Sequence, residues 1–507
     1  MEHSDPIVSW LHQRGLHASG LAAALARATR LTVDSRKVDE CSGFIAIRGA
    51  NHDGHAFLGE VVKRAPFVVV DKNWNPGAEF PGRVPVLRVD DPLEFSRDFA
   101  AEFYGHPSRD LRLLGVTGTN GKTTSTFLLE ALSNAEGRHP GVIGTIETRF
   151  GGKSVPAANT TPDAVELQTL LHEIRAAGVD TVCMEISSHA LHQGRVRGLQ
   201  LDALIFTNLT PDHLDYHGDM DAYLEAKLLG FDLLDESPKV AKRAAVWAGI
   251  DRREILMRRL TGRAFENRIF GIEPQGFTGL SFRVVEQTFH GSRGVLLWRG
   301  EAIWEGLLTL VGDFNILNAL GCLACWLHTG QSRSALREQA ALGMDAINRV
   351  RVPGRLEPIP SPKGGMVFVD YAHTPDALEN ILRTLGRLPH KRLVCVFGCG
   401  GDRDRTKRPV MGRLAGSMAD FCYLTSDNPR TEDPASILAM IEAGLREVST
   451  DYLVVENREE AIRLAAEGLG EGEILVIAGK GHEDYQILGK SKIHFDDREL
   501  ARKYLRA

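Results

Sequence analysis

GVTGTNGKTT, residues 115 to 124, is the stretch that decides the fold. The apolar run LRLLGV (111 to 116) leads into it and the amphipathic stretch TTSTFLLEALSNA follows it, which predicts a β-strand, a glycine-rich turn and an α-helix. The backbone N–H groups of such a turn and the helix N-terminus together favour an anion. The general phosphate-loop pattern G-x-x-x-x-G-K-[ST] requires glycine where this chain has Val116, so that pattern fails by one residue.

The same alternation of apolar runs and helical stretches continues along the 507-residue chain. Further strand-like runs are DTVCMEI (180 to 186), DALIFTN (202 to 208), MVFVD (366 to 370), RLVCVFG (392 to 398), ADFCYLT (419 to 425) and EILVIAG (473 to 479). This order predicts an α/β fold of parallel sheets covered by helices. Because ligands of open parallel sheets lie beyond the carboxyl ends of the strands, we expect functional residues in the loops that follow these runs.

Two segments are candidate domain joints, GHPSRD (105 to 110) and RVRVPGR (349 to 355). A chain of this length exceeds one hydrophobic core, since domains run to roughly 100 to 200 residues. We therefore expect three domains, at 1–107, 108–351 and 352–507.

Composition limits the class of protein. Lys and Arg number 60 against 66 Asp and Glu, and the net charge of −6 argues against a nucleic-acid-binding or membrane-coating surface. No segment approaches the roughly 18 consecutive apolar residues of a membrane span, and the first twenty residues lack a signal-peptide pattern. We expect a cytoplasmic, monomeric protein with no membrane insertion. The seven cysteines indicate no disulfide framework, and Cys322 and Cys325 are predicted to be buried core thiols.

The glycine-rich turn suits a nucleotide phosphate chain. Gly118 and Gly121 permit a tight turn, Lys122 could reach the β- and γ-phosphates of ATP, and the Thr123 hydroxyl could ligate Mg²⁺. The alternative is a plain strand-to-helix turn with a solvated lysine. The combination of strand, loop and helix favours ATP binding.

TGTNGKT, with its first glycine three residues before the second, resembles the loop of the Mur ligase family and its folylpolyglutamate synthetase relatives. These are ATP-dependent enzymes that join a carboxylate to an amine. The folate enzymes usually continue GKGS, whereas this chain continues GKTT, which favours the cell-wall branch. The resemblance implies a small α/β UDP-binding domain at 1–107, a central phosphate-loop ATPase-like domain at 108–351 and a Rossmann-like, amino-acid-binding domain at 352–507.

The resemblance also implies a role for particular residues in ATP and metal binding. The implied ATP contacts are Gly118, Thr119, Asn120, Gly121, Lys122, Thr123, Thr124, Asn315, Arg355 and Asp370. Glu185 of MEISSHAL and His213 of TNLTPDHLDYHG, which alone would be ordinary loop residues, are implied to ligate Mg²⁺ with Thr123. Lys227, by default a surface residue of a helix, is implied to be carbamylated. Lys122, Lys227, Glu185 and His213 are thus the candidate catalytic residues.

The central region has one departure from the family pattern and further candidate binding residues. Asn318 lies one helical turn from Asn315, so both can face one site. Where the family often shows Asn-x-Asp-Asp, this chain has Ala-Gly-Ile-Asp at 248–251, so the resemblance implies no contact at that segment. The residues implied to hold a UDP-MurNAc-dipeptide are Ser35, Thr160, Thr161, Ser187 and Arg195.

Three loops of the last domain have the composition of an amino-acid site. They are GCGGDRD, SDNPRTEDP and GKGHEDYQ, with the candidate residues Arg403, Asp427, Asn428, Arg430, Gly479 and Glu483. Carboxylates can receive an ammonium group, and arginines can pair with carboxylates in a bidentate manner. DNPR with GKGHE resembles the diaminopimelate-adding branch of the family, where Arg430 would pair with the carboxylate that lysine lacks. The alternative is that Arg430 is merely a turn cation after Pro429.

The resemblance implies an amide ligase that adds meso-diaminopimelate to UDP-MurNAc-L-Ala-D-Glu, with ATP as substrate and Mg²⁺ as cofactor. A folylpolyglutamate synthetase would instead use folate. A phosphate-loop hydrolase or switch would turn over ATP without an acceptor, and it leaves DNPR and GKGHE unexplained. A catalytically inactive nucleotide-sugar scaffold is opposed by the presence of Lys122, Glu185 and His213.

Overall fold

The computed structural model describes residues 4–49, 52–75, 84–272 and 279–506. The helices are α1 (Ser4–Gln13), α2 (Leu21–Arg27), α3 (Leu58–Val61), α4 (Pro92–Phe103), α5 (Lys122–Ala135), α6 (Ala164–Ala176), α7 (Ser188–His192), α8 (Leu214–His217), α9 (Met220–Glu236), α10 (Arg253–Leu260), α11 (Asp313–Trp326), α12 (Arg333–Asn348), α13 (Pro375–Gly386), α14 (Lys407–Met418), α15 (Pro434–Arg446), α16 (Arg458–Glu467) and α17 (Asp497–Leu505). Short 3-10 turns lie at Ser35–Lys37, Gly54–Phe57 and Pro107–Arg109.

The strands are β1 (Arg30–Thr32), β2 (Ser42–Ile45), β3 (Val68–Asp71), β4 (Val86–Val89), β5 (Arg112–Thr117), β6 (Pro140–Ile143), β7 (Glu147–Phe150), β8 (Lys153–Pro156), β9 (Thr181–Glu185), β10 (Ala203–Phe206), β11 (Arg243–Trp247), β12 (Glu266–Ile272), β13 (Leu280–Thr288), β14 (Gly291–Trp298), β15 (Glu301–Leu308), β16 (Glu357–Pro360), β17 (Met366–Asp370), β18 (Leu393–Phe397), β19 (Phe421–Leu424), β20 (Tyr452–Val454), β21 (Ile474–Ala478), β22 (Tyr485–Leu488) and β23 (Ser491–His494). Every strand-like run predicted above forms a strand, with ends that lie within two residues of the prediction.

The chain divides into two compact units. Unit 1 comprises Met1–Phe270 and Gly321–Trp326, and unit 2 comprises Gly271–Leu320 and Leu327–Ala507. Among the described residues, parallel strands occur in three places, at β1–β4, around β5 and around β21. The domain boundaries at 107/108 and 351/352 stay a prediction.

Unit 1 contains two sheets. The first is parallel, in the order β1-β2-β3-β4. In the second, β5 lies between β9 and β10, and β12-β11-β10-β5-β9-β6 are parallel neighbours, with β7 and β8 joined antiparallel at the edge. Strands covered on both faces read as continuous apolar runs, which is why β5, β9 and β10 are recognisable in the sequence. This order places the loops after β5, β9 and β10 side by side.

Unit 2 contains a largely parallel sheet of its own. Its order is β16-β17-β21-β18-β19-β20, and only β16 is antiparallel to its neighbour. The antiparallel strands β13, β14 and β15 and the hairpin β22–β23 also belong to this unit. The sheet order brings the loops after β17, β21, β18 and β19 to one rim, as the sequence predicted.

The cysteine prediction is confirmed. Cys322 and Cys325 are buried in α11, and burial raises the pKa of the Cys325 thiol to about 12. A thiol held neutral in this way packs as a small apolar side chain. Within the described ranges, no helix has the length and apolar character needed to span a membrane.

Candidate active site

The phosphate loop of unit 1 connects β5 to α5. Lys122 begins α5, and its Nζ donates to the carbonyl oxygens of Gly118 at 2.9 Å and Thr119 at 2.8 Å. Thr123 and Thr124 are buried in the first helical turn. The lysine therefore lies over the backbone of its own loop, at the positive end of the helix dipole, where an anion is favoured.

The chain after β10 holds this loop in place. Thr119 N donates to Asn208 O at 3.0 Å, Asn120 N donates to Asn208 Oδ1 at 2.9 Å, and Thr207 Oγ1 donates to Asn120 O at 2.6 Å. Gly118 has φ +141°, and a Cβ there would overlap the Thr207 hydroxyl and lie 3.1 Å from Asn208 N. Glycine is therefore required by both the backbone conformation and the close approach of this segment. This role of Thr207 and Asn208 was not predicted from the sequence.

Thr123 and Glu185 are adjacent. Glu185 ends β9 with its side chain 1% exposed, and Thr123 Oγ1 donates to its Oε1 at 2.9 Å. Thr145 binds the same carboxylate through its backbone N–H at 2.8 Å and its hydroxyl at 2.9 Å. Three donors thus hold a buried carboxylate, which burial alone would disfavour in its charged form. Thr145 was not identified from the sequence, because it follows a short strand that no sequence pattern indicated.

Four of the five residues predicted to hold the nucleotide-sugar peptide gather around the end of β9. Thr160 and Thr145 hydroxyls lie 3.0 Å apart, and Thr161 Oγ1 donates to Glu185 O at 2.9 Å. Ser187 N donates to Thr161 Oγ1 at 3.1 Å, and Arg195 Nη1 donates to Thr161 O at 3.2 Å. These side chains and the phosphate loop therefore share one edge of the sheet in unit 1.

Ser35, the fifth of these residues, lies in a polar 3-10 turn of the first sheet's domain. Asp34 caps the turn, and its carboxylate accepts from Arg36 N at 3.0 Å and from Arg36 Nη2 at 2.9 Å, which lowers the pKa of Asp34. The Ser35 hydroxyl makes no hydrogen bond with any residue that the structure describes. Ala50 and Asn51, in the segment of residues 43–57 that resembles a UDP-binding sequence, lie outside the described residues.

Lys227 is buried, contrary to the default of a surface lysine. It lies in the middle of α9 with 1% of its surface exposed, and its Nζ lies 4.3 Å from the centroid of the Tyr223 ring. Burial, together with the charge of Lys122, lowers its pKa well below the ordinary value. Within the described part of the chain, its amine has no hydrogen-bond partner. The periodicity of α9 could not show this burial. The face of the helix that carries Lys227 also carries Tyr223, which contacts Thr119 in the loop after β5.

His213 lies close to Tyr223, with ring centroids 6.3 Å apart. It occupies the residue before α8 with φ +53°, and its ring packs against His189 with centroids 4.7 Å apart. Burial lowers the pKa of His189, and the charge of His213 adds to that effect. Among the described residues, His213 makes no hydrogen bond with Glu185 or Thr123.

The oxygen donors of unit 1 fit magnesium held jointly with a nucleotide. Over the described ranges, no three His, Cys, Asp or Glu side chains are grouped as a metal site of their own. Mg²⁺ is usually held by one or two carboxylates together with substrate phosphates rather than by an all-protein cage. The paired hydroxyl of Thr123 and carboxylate of Glu185 match that donor chemistry.

The amino-acid site predicted from the sequence lies in unit 2, at the rim after β17, β21, β18 and β19. Asp427 follows β19, and a Cβ on Gly479, which follows β21, would lie 2.5 Å from Asp427 Oδ2. Gly479 has φ +119°, so the backbone and the neighbouring carboxylate both require glycine. Asn428 Nδ2 donates to Glu483 Oε2 at 3.0 Å. The structure thus brings together Asp427, Asn428, Gly479 and Glu483.

Both arginines predicted for this site, Arg403 and Arg430, border Gly400 at the same rim. A Cβ on Gly400 would lie 2.9 Å from Arg430 Nη1 and 3.9 Å from Arg403 Cγ. Arg430 has φ +53°, a conformation that costs roughly 1–2 kcal/mol in residues other than glycine. Its Nη1 donates to Gly401 O at 2.8 Å, and Arg403 is exposed. The Arg430 guanidinium group therefore contacts the loop after β18, which carries Arg403.

A buried arginine that the sequence did not indicate joins these loops. Arg408 of α14 is fully buried, and it donates to Glu432 Oε1 at 2.8 Å and Oε2 at 3.1 Å. Asp402 N donates to Glu432 at 2.6 Å. The Arg408 hydrogen bonds lower the pKa of Glu432 to about 2. The loops after β18 and β19 are therefore held together by charge-assisted hydrogen bonds.

Asp370 and Arg355 lie at the β17 end of this rim. Both oxygens of Asp370 accept backbone N–H groups, from Leu356 at 2.7 Å and Ala372 at 2.9 Å, and burial raises its pKa. Arg355 lies over the Tyr371 ring at 5.0 Å, and its buried Nε has no hydrogen-bond partner among the described residues. An unpaired buried guanidinium N–H fits an anionic ligand.

Asn315 and Asn318 share one face of α11, as their spacing predicted. Both are 4% exposed, and Asn318 Nδ2 lies 3.4 Å from Asn315 Oδ1. Asn315 Nδ2 donates to Val311 O at 2.9 Å, which orients its amide.

Comparison with known proteins identifies the family. The family model described as "Mur ligase middle domain" matches residues 116–326, and the model described as "Mur ligase, glutamate ligase domain" matches residues 354–481. A curated protein from Geobacter metallireducens, named UDP-N-acetylmuramoyl-L-alanyl-D-glutamate--2,6-diaminopimelate ligase, is 43% identical over 491 residues and covers 92% of each chain. The chain belongs to the Mur ligase family.

Solved structures agree with this assignment. A structure bearing the same ligase name matches this Mur ligase with a TM-score of 0.68 and 30% identity, over 94% of this chain and 95% of the other. A folylpolyglutamate synthase of Mycobacterium tuberculosis, solved with ADP and AMPPCP, matches with a TM-score of 0.57 and 19% identity, over 76% of this chain and 92% of its own. At that identity the second likeness shows a common fold alone. The predicted family and α/β fold are therefore confirmed.

Proposed function

We propose that this Mur ligase adds meso-diaminopimelate to UDP-MurNAc-L-Ala-D-Glu with ATP as the second substrate. The γ-phosphoryl group passes from ATP to the D-glutamyl carboxylate with release of ADP, and the neutral diaminopimelate amine attacks the resulting acyl phosphate. The tetrahedral intermediate loses a proton and collapses to amide and phosphate. The observation that carries the proposal is the convergence of Asp427, Glu483, Arg403 and Arg430 at one rim, in a family of carboxylate–amine ligases. This charge pattern complements an amino acid with two ammonium groups and two carboxylates.

On the donor side, Lys122 and the N–H groups of its loop hold the ATP phosphates. Thr123 and Glu185 would hold Mg²⁺, which supplies charge neutralisation for the phosphates when bound. Thr160, Thr161, Ser187 and Arg195, grouped at the end of β9, orient the peptide of the acceptor precursor, and Ser35 contacts its nucleotide. Arg355 pairs with the γ-phosphate, while Asp370 and Asn315 contact the nucleoside. No side-chain nucleophile is required, so catalysis rests on positioning and electrostatics.

Lys227 is the residue whose chemistry is most altered by its surroundings. Its lowered pKa favours the neutral amine, whose lone pair can attack CO₂ to form an N–C bond with loss of one proton. The carbamate carries one negative charge, so repulsion between Lys227 and Lys122 becomes attraction. Lys227 is accordingly proposed to be carbamylated, with His213 completing the metal-binding residues.

On the acceptor side, Asp427 and Glu483 receive ammonium groups, and Arg403 and Arg430 pair with carboxylates. L-lysine lacks the distal carboxylate and would leave a guanidinium group unpaired, which discriminates strongly against it. The reaction is placed in the cytoplasm, with the protein acting as a monomer.

The test is phosphate release with ATP, Mg²⁺ and UDP-MurNAc-L-Ala-D-Glu, comparing meso-diaminopimelate, L-lysine, L-ornithine and no amine. We expect turnover with diaminopimelate alone. Comparable turnover of L-lysine would refute the proposed specificity, and phosphate release without the UDP-linked peptide would support the hydrolase alternative. Folate-dependent release would support the folylpolyglutamate alternative.

Arg430→Ala tests the pairing with the distal carboxylate. Alanine keeps a Cβ at the same positive φ, so the substitution removes the guanidinium group without relieving the backbone strain. We expect KM for diaminopimelate to rise at least about a hundredfold, with little change in ATP affinity. Arg413→Ala, which removes an exposed arginine paired with Glu447, is the matched control. An unchanged KM in the Arg430 variant would refute the pairing.

A further inference from the structure

Lys480 is a fully buried cation at the base of the acceptor loops of unit 2. This residue follows Gly479 at the end of β21, and its side chain is 0% exposed. Its Nζ donates to Asn428 Oδ1 at 3.0 Å and to Tyr485 O at 2.6 Å, and lies 3.7 Å from Glu483 Oε2. A cation buried to this extent is retained only where its donors are satisfied.

Lys480 determines the orientation of the Asn428 carboxamide. Asn428 Oδ1 accepts from Lys480 Nζ and also from Ile487 N at 2.9 Å. Only the oxygen of a carboxamide can accept hydrogen bonds, so the NH₂ group must point the other way. It points at Glu483 Oε2, to which it donates at 3.0 Å. The position of the Glu483 carboxylate is thus linked through Asn428 to Lys480.

Loss of the ammonium group would loosen this linkage. Asn428 Oδ1 would keep only the backbone N–H of Ile487, and Tyr485 O would lose the short hydrogen bond from Nζ. A rotated carboxamide would then turn its oxygen toward the Glu483 carboxylate, where both groups are acceptors and repel. Burial lowers the pKa of Lys480, and the negative charge of Asp427 opposes that shift.

The surrounding backbone extends the same linkage to Arg430. Gln486 Nε2 donates to Asp427 O at 2.7 Å, Arg430 N donates to Ile487 O at 3.2 Å, and Gly489 N donates to Arg430 O at 2.8 Å. The loop after β19 is therefore paired along β22, with Lys480 at the buried end of the pairing.

We propose that Lys480 is a positioning residue for the acceptor amino acid: through Asn428 it holds Glu483 where the substrate ammonium group binds. This inference rests on the proposed function and assigns Lys480 no contact with substrate. Its effect should therefore appear in the use of diaminopimelate and should require Asn428.

The experiment is a double-mutant cycle of Lys480→Met and Asn428→Ala in the full-length protein. KM for diaminopimelate, kcat and ATP affinity are measured for the wild type, both single variants and the double variant. We expect Lys480→Met to raise KM about tenfold with ATP affinity unchanged, and to add less than about twofold in the Asn428→Ala background. Lys490→Met, an exposed lysine in the turn between β22 and β23, is the matched control and should leave KM unchanged.

Two results would overturn the proposal. One is a KM for Lys480→Met within about twofold of the wild type, and the other is full additivity of the two substitutions, which would indicate independent roles. If Lys480→Met fails to fold, Lys480→Gln, which has a shorter donor, takes its place. An unchanged KM in that variant likewise contradicts the proposal. An increase in KM that Lys480→Gln causes in the wild type but not in the Asn428→Ala background supports it. A wild type that releases no phosphate with diaminopimelate would contradict the proposed function instead, before any variant is compared.

Discussion

Lys227→Met should stabilise the protein while removing its activity. In CO₂-free buffer the wild type buries an amine without a hydrogen-bond partner among the described residues, and mutational data place the cost of such burial at about 1–3 kcal/mol. Methionine has a similar volume and length and no polar atom. Because the contact of Lys227 with the Tyr223 ring offsets part of the cost, we expect a gain of about 1–2 kcal/mol in the free energy of unfolding.

The pH dependence follows from the lowered pKa of Lys227. Unfolded lysine binds its proton below pH 10.5, whereas the folded residue stays neutral until the pH falls to its lowered pKa. Between these two values the unfolded state binds more protons, so the stability of the wild type falls as pH falls. Lys227→Met has no such group, and its advantage over the wild type should therefore widen as the pH is lowered from 10.5.

Urea unfolding of the wild type and Lys227→Met at several pH values measures the difference in their free energies of unfolding. The midpoints are compared where both proteins show the same dependence of that free energy on urea concentration. Added bicarbonate supplies CO₂, which near neutral pH reacts with the neutral folded amine in preference to the protonated lysine of the unfolded chain. It should therefore raise the wild-type midpoint and leave the Met variant unchanged. The variant should lose ligase turnover by about a hundredfold or more. Lys153→Met, at an exposed lysine of β8, should shift stability by less than about 0.5 kcal/mol. A Met variant less stable than the wild type, a pH-independent difference, or equal bicarbonate effects would refute the reasoning.

Three further substitutions test the phosphate loop of unit 1, the amino-acid site of unit 2 and the stability of the fold. Gly118→Ala places a Cβ against the Thr207 hydroxyl at φ +141°; we expect a loss of about 1–3 kcal/mol in urea unfolding and weakened ATP binding by calorimetry, and unchanged ATP affinity would contradict this. Gly479→Ala displaces the Asp427 carboxylate, so KM for diaminopimelate should rise about tenfold in the phosphate-release assay while ATP affinity holds; equal losses of both would point to general disruption. Asp497→Ala leaves Arg458, its fully buried partner at 2.7 Å, without a counter-ion, which should cost about 3–5 kcal/mol of unfolding free energy. A loss below about 1 kcal/mol would show that the pair is dispensable.

Local sequence patterns were sufficient for the strands and the phosphate loop. β5, β9, β10, β17, β18, β19 and β21 were all predicted, because parallel strands covered on both faces must be apolar throughout. The loop from Gly118 to Thr123 was recognisable because its chemistry resides in consecutive residues. The rim of unit 2 was also predictable, since adjacent parallel strands end on the same side of a sheet.

The residues that support the site were not predictable in this way. Thr145, Asn208 and Arg408 act through partners far away in sequence, and each alone is an ordinary polar side chain. The pattern of apolar residues in α9 did not indicate that Lys227 is buried. Its surroundings include the loop after β5, which contacts Tyr223 one turn away on the same helix.

The sequence by itself determined the class of fold, the family and the residue types available for chemistry, since these depend on composition, spacing and periodicity along the chain. Only the tertiary structure decided the state of those residues. It made Lys227 a desolvated amine near Lys122, gave Glu185 three hydrogen-bond donors, and linked Lys480 to Glu483 through one amide. Burial and donor geometry set charge and orientation, and both arise from segments that meet only when the chain is folded.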